Sequence, residues 1–133
     1  MTTRVLLATP YSDEQAIYGD CLRADGFDVR VAATGDDAFV QLLGDPMDVV
    51  VVRMPQPGSP TAHLDLLTRL REQARTRSIP IVILTSMMEP ENRAAAIDAG
   101  CDGYLLVPAL PDALAHEVRR VAHHHRASRE TLE

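Results

Sequence analysis

Arg53 closes the most hydrophobic run of the chain, Asp48-Val49-Val50-Val51-Val52, and is followed by Met54-Pro55-Gln56-Pro57-Gly58. That places it at the carboxyl end of a buried strand, the edge of an open α/β sheet where chemistry is usually placed. A carboxylate at such a point could take a phosphoryl group or hold a cation. A guanidinium is permanently protonated and carries only donors, so it does neither. It can serve as a salt-bridge or solvent-facing cation. Alternatively, with nearby backbone amides, Thr85 and the Thr9-Pro10 loop, it can receive a small anion such as phosphate or a carboxylate ligand. Asp13 and Glu14 lie five and six residues beyond Ala8, where the first strand ends. They read as acids favourable to the dipole of a first helical turn, or as partners for Arg53 that hold the pocket in one state.

Other residues invite chemistry and have plainer readings beside it. A threonine at a strand end, as Thr85 is, commonly bonds local backbone. Met87 and Met88 suit either an adaptable contact or the burial of one of them. Tyr104, in a chain with only 4% aromatic residues, is core packing with its hydroxyl at the surface or part of a partner-binding face. His123-His124-His125 are consecutive and point about 100° apart on a helix, which is poor geometry for one metal ion. With Arg119, Arg120 and Arg126 they make a solvated helix end favoured by the dipole.

Short β-branched runs alternate with stretches of helical period, the pattern of βα units on a parallel sheet. Strands are expected at Arg4 to Ala8, Phe27 to Val31, Val49 to Val52, Ile79 to Leu84 and Gly103 to Leu106. The third is apolar on both faces and belongs at the sheet centre. The first helix starts near Ser12, turns Ile17, Cys21, Leu22 and Ala24 inward and ends at Gly26. The second opens at Thr34-Gly35-Asp36-Asp37 and buries Ala38, Phe39, Leu42 and Leu43. A Pro/Gly/Ser loop from Met54 to Pro60 precedes a helix running to about Arg75, with Leu64, Leu66, Leu67 and Leu70 inward. Pro90 opens a fourth helix closed by Gly100, and a fifth starts near Pro111 with Leu114, Val118 and Val121 facing the core.

A chain of 133 residues suits one domain, expected over residues 1–123 with a polar tail at 124–133. Leu132-Glu133 matches a vector-derived dipeptide and carries no functional weight. The net charge of −6 disfavours direct contact with nucleic acid. Two cysteines, Cys21 and Cys101, indicate no disulfide framework, and no apolar run is long enough to span a membrane, so a soluble cytoplasmic protein is expected.

In register along the chain, four segments resemble the receiver domain of bacterial two-component response regulators. Pro46 to Val52 resembles the strand leading to the family's phosphoacceptor, and Pro57-Gly58 the proline and glycine of the loop after it. Ile79 to Ser86 is similar to the fourth strand with its hydroxyl residue at Thr85. Ala99 to Leu106, followed by Pro108, is similar to the fifth strand with its aromatic switch position at Tyr104. The resemblance implies a flavodoxin-like α/β fold, a five-stranded parallel sheet of order 2-1-3-4-5 with helices on both faces.

It also exposes departures. The acidic pair that holds a divalent metal falls on Thr9 and Pro10, the phosphoacceptor on Arg53, and the lysine after the fifth strand on Val107. Of the family's five chemical positions only Thr85 is kept. No magnesium or other cofactor is expected, and no catalytic residues. The expectation is an atypical receiver, not an enzyme, that works without phosphorylation. Its contacts would be with a protein partner or a second copy, through the fourth helix, fifth strand and fifth helix, around Met87, Met88, Tyr104 and Pro108. The alternative is a domain sensing a small anion or metabolite at Arg53.

Overall fold

The computed structural model describes residues 2–45, 47–54 and 61–132, with side chains at 61–63, 65 and 126–132 excepted. Five strands and five helices alternate: β1 (Arg4–Ala8), α1 (Ser12–Ala24), β2 (Asp28–Ala32), α2 (Gly35–Gly44), β3 (Val49–Arg53), α3 (Thr61–Glu72), β4 (Ile81–Thr85), α4 (Pro90–Asp98), β5 (Gly103–Leu106) and α5 (Pro111–Leu132). All strand pairings are parallel, in the order β2-β1-β3-β4-β5. Residues 55–60 of the expected Met54 to Pro60 loop, and with them the Pro57-Gly58 match, lie outside the described residues.

The valine run explains why β3 is central. Val50 and Val52 join one core layer with Ala38, Leu42, Leu66, Leu67 and Leu70 of α2 and α3. Val49 and Val51 join the other, with Leu22 of α1 and Leu114, Val118 and Val121 of α5. A strand covered on both faces has no need of polar alternation. Its register, Val52 opposite Ala8 and Arg53 opposite Leu84, fixes Arg53 at the carboxyl edge.

Helix ends follow local chemistry. The Thr34 hydroxyl accepts the Asp37 N–H at 3.0 Å and starts α2. Gly26 (φ 98°) and Gly100 (φ 106°) follow the last turns of α1 and α4 in the left-handed region. Strand β2 begins one residue later than expected, because the Phe27 N–H still bonds back to the Leu22 carbonyl at 3.1 Å.

The inward face of α1 differs from the expected one. Leu22 is buried, but Ile17 is 56% exposed, Ala24 is exposed and Cys21 is half-buried, while Tyr18 and Gly19 are buried. Tyr18 inserts its ring into the layer beneath α5 and donates its hydroxyl to the Ala109 carbonyl at 3.1 Å. An aromatic with both a large apolar body and a satisfied hydroxyl outcompetes Ile17, and the helix turns by about one residue, roughly 100°. At the other end of the chain, α5 continues without interruption through Leu132, so residues 124–132 of the segment expected as a tail are helical.

Candidate functional site

At the carboxyl edge, Arg53 is 5% exposed, and its charge is met inside the protein. Its Nε donates to both oxygens of Glu14, at 2.9 and 3.2 Å, and its Nη1 donates to the Met54 carbonyl at 2.8 Å. Side-chain exposure is 6% for Arg53 and 15% for Glu14, so this is a largely buried ion pair. The ring of Tyr11 lies 5.2 Å from the guanidinium carbon, within cation–π range. Tyr11 stands beside Pro10, and nothing in its sequence position advertised this role.

Thr9 completes the cluster. Its hydroxyl donates to Glu14 Oε1 at 2.8 Å and accepts the Tyr11 N–H at 3.3 Å, while the Gln15 amide donates to the Thr9 carbonyl at 2.8 Å. Glu14 is therefore the acid brought to Arg53. Asp13 remains exposed and accepts the Glu14 N–H at 3.0 Å.

A divalent cation of the family kind does not fit these residues. Such an ion asks for carboxylate and carbonyl oxygens in fixed positions. Thr9 offers a hydroxyl already bonded to Glu14, Pro10 offers no side-chain donor atom, and the Glu14 carboxylate neutralises a guanidinium. Among the described residues no cluster of three His, Cys, Asp or Glu side chains could hold a metal.

On the β4 side, Thr85 is fully buried and its hydroxyl accepts the Met87 N–H at 3.1 Å. The Met87 carbonyl accepts the Tyr104 hydroxyl at 3.1 Å, so the tyrosine is turned inward and tethers the loop between β4 and α4. Burial pushes the pKa of the Tyr104 hydroxyl up, and Cys101 and Glu89 push the same way, which keeps it a donor at neutral pH. Met87 is buried and Met88 is 77% exposed. Val107 is half-buried, donating its N–H to the Thr85 carbonyl at 2.8 Å, and the Val107–Pro108 peptide is cis.

Besides Met88, three apolar side chains in the part of the chain after β4 reach solvent: Ile97 (53%) on α4, Leu106 (42%) at the end of β5 and Leu110 (76%) before α5. Sequence reasoning did not single these out. Ile97 sits in the run Ala94 to Ala99, where every residue is apolar except Asp98, and such a run does not reveal which side faces out.

Residues 5–119 match the family model described as response regulator receiver domain. The gliding motility regulatory protein of Myxococcus xanthus is 31% identical over 121 residues, 89% of this chain and 15% of that protein. The phosphate regulon transcriptional regulatory protein PhoB of Rhizobium meliloti is 31% identical over 95 residues, 71% of this chain and 41% of that protein. The chain thus spans less than half the length of these relatives. Among solved structures, NtrX from Brucella abortus superposes with a TM-score of 0.87 at 21% identity, covering 98% of this chain and 29% of that one. A putative response regulator from Chloroflexus aurantiacus gives 0.83 at 25% identity, covering 92% and 99%. The strand order, the ordered motifs and these matches agree: the chain belongs to the response regulator receiver domain family.

Proposed function

We propose that this receiver domain signals without aspartyl phosphorylation, through protein contacts made by a site held permanently in one state. The supporting observation is the Arg53–Glu14 pair, which sets a cation and a carboxylate against each other at the edge where the family's metal and phosphoryl group would meet. The guanidinium offers no nucleophilic oxygen, and the Thr85 hydroxyl is committed to the Met87 amide. With Tyr104 turned inward, the β4–α4 loop is positioned by the chain's own hydrogen bonds. Among the described residues no acid, base or nucleophile is arranged for turnover at this edge, and the domain acts as a binding module in the cytoplasm. The contact face is that of α4, β5 and α5, where Met88, Ile97, Leu106 and Leu110 are exposed. Partner choice and output belong to the whole protein.

The test is to incubate the protein with magnesium and acetyl phosphate, and separately with magnesium and beryllofluoride. Intact mass, melting temperature and elution volume should be unchanged. A phosphoryl adduct, or a magnesium-dependent thermal shift, would overturn the reading. A free anion at Arg53 is less favoured, because it would have to displace Glu14 from a nearly buried pair.

A further inference from the structure

A cleft of about 330 Å³ opens on the α2 and α3 side of the same edge, lined by Ala8, Pro10, Ala33, Val52, Leu66 and the first turn of α2, with Arg53 and Arg69 on its wall. It lies between the carboxyl ends of β1 and β3, the point where the chain's connections turn to opposite faces of the sheet. Ligands of open α/β sheets collect at such switch points. The volume is at the lower end of the ~300–1,000 Å³ typical of small-molecule sites. It is about twice that of the ~150 Å³ cavity that admits benzene.

The walls of this cleft follow from the same replacements that removed the acids. Pro10 contributes an uncharged ring, and small side chains at Ala8 and Ala33 leave room beside it. Even a Cβ added at Gly35 would stand no nearer than 3.7 Å to Leu66. Arg53 brings no unmatched charge, because Glu14 and the Met54 carbonyl engage it. The rim differs. Arg69 stacks over Phe39 at 4.2 Å and pairs with Asp36 at 2.8 Å, but the Asp36 side chain is 87% exposed. Exposed pairs of this kind are weak, so an incoming carboxylate can take the place of Asp36 on a guanidinium that the Phe39 ring already orients.

We propose that this cleft binds a small molecule with a flat apolar body, of bicyclic aromatic size, and one carboxylate. The body lies against the exposed Pro10 and Ala33, over the buried Ala8, Val52 and Leu66, and the carboxylate pairs with Arg69. The inference does not depend on how the domain responds to phosphodonors, and it moves the anion contact from Arg53 to Arg69.

The probe is 2-naphthoate, titrated into the ¹⁵N-labelled protein. Amides of Ala33 to Asp36 and of Val52 should shift saturably in the millimolar range or below. Naphthoate ring protons should show intermolecular NOEs to the methyls of Ala8, Val52 and Leu66. Arg69→Ala should weaken binding about three- to fivefold, the loss of one solvent-accessible ion pair. Ala33→Trp, at an exposed loop position, should abolish it at an unchanged melting temperature. Uncharged 2-methylnaphthalene should bind more weakly, and inorganic phosphate alone should leave these amides unmoved. Absence of saturable shifts with naphthoate, absence of the NOEs, or unchanged affinity in Arg69→Ala would each overturn the proposal. The NOEs decide the location in the wild-type chain even if Ala33→Trp does not fold.

Discussion

Replacing Glu14 by Gln keeps the side chain's shape and removes its charge, leaving the Arg53 guanidinium with the Met54 carbonyl and the face of Tyr11. Breaking a buried ion pair by losing one partner costs about 3–5 kcal/mol. The 15% exposure of Glu14 and the remaining amide oxygen reduce this, so we expect about 2–3 kcal/mol. For a chain of 133 residues that corresponds to a fall of about 7–11 °C in melting temperature. Arg53→Met fills the same stem volume and leaves Glu14 with the Thr9 hydroxyl and some water, so it should cost less, about 1–2 kcal/mol. The double variant Glu14→Gln/Arg53→Met removes both charges. It should fall within about 1 kcal/mol of wild type, since a buried pair replaced as a unit is often close to neutral. Urea unfolding of the four proteins at a common m value gives the cycle, with an expected coupling of about 3–5 kcal/mol. Additive single effects, or a Glu14→Gln cost below about 0.5 kcal/mol, would refute the view that this pair organises the site.

Arg53→Asp should destabilise the fold more than Arg53→Met, because it sets a second carboxylate beside Glu14, and it should gain no magnesium-dependent thermal shift while Thr9 and Pro10 remain. Gly26→Ala and Gly100→Ala both force a side chain to positive φ, at about 1–2 kcal/mol, by chemical denaturation. Gly100→Ala should cost more, because its Cβ would lie 2.9 Å from Arg71 Nε, whose guanidinium bonds the Gly100 carbonyl. Tyr104→Phe leaves the Met87 carbonyl without its donor and should cost about 1 kcal/mol, whereas Leu110→Ser should weaken self-association in sedimentation without loss of stability. The Asp45 pKa is lowered chiefly by its hydrogen bond from Arg4. A carboxylate depressed on folding stabilises above its unfolded pKa, and that contribution is lost as pH falls through the folded one. Asp45→Asn should therefore lower the melting temperature at neutral pH, with the difference closing in acid.

The sheet was legible because the βα rhythm and the valine run depend on local composition alone. Thr34, Gly26 and Gly100 likewise mark helix ends through their own chemistry, and all three stand where expected. The face of α1 was harder to read: Ile17, Cys21 and Ala24 share one helical side, and only the acceptor at Ala109, 91 residues beyond Tyr18, decides that Tyr18 goes inward. The site shows the same division. Residue types at positions 9, 10, 53 and 107 could be read directly. Which of Asp13 and Glu14 reaches Arg53, and that Thr9 and Tyr11 close around the pair, depends on how α1 docks on the sheet. The exposed set of Met88, Ile97, Leu106 and Leu110 comes from α4, β5 and the loops before α4 and α5, and has no common period in sequence.

These replacements support one another energetically, which a list of lost residues does not convey. A buried guanidinium at position 53 without Glu14 would carry a large desolvation cost, and Glu14 near a phosphoacceptor carboxylate would meet like charge. An acid at position 9 would crowd a second carboxylate against Glu14 where the Thr9 hydroxyl now donates to it at 2.8 Å. With Arg53 matched by Glu14, Val107 packs against the layer beneath α5. Each change thus lowers the cost of the next. Placing the family's residue at any one of these positions alone would meet the residues now present at the others. The same mutual dependence supports the proposed reading, in which the edge keeps one arrangement and the face around Tyr104 and Met88 meets a partner.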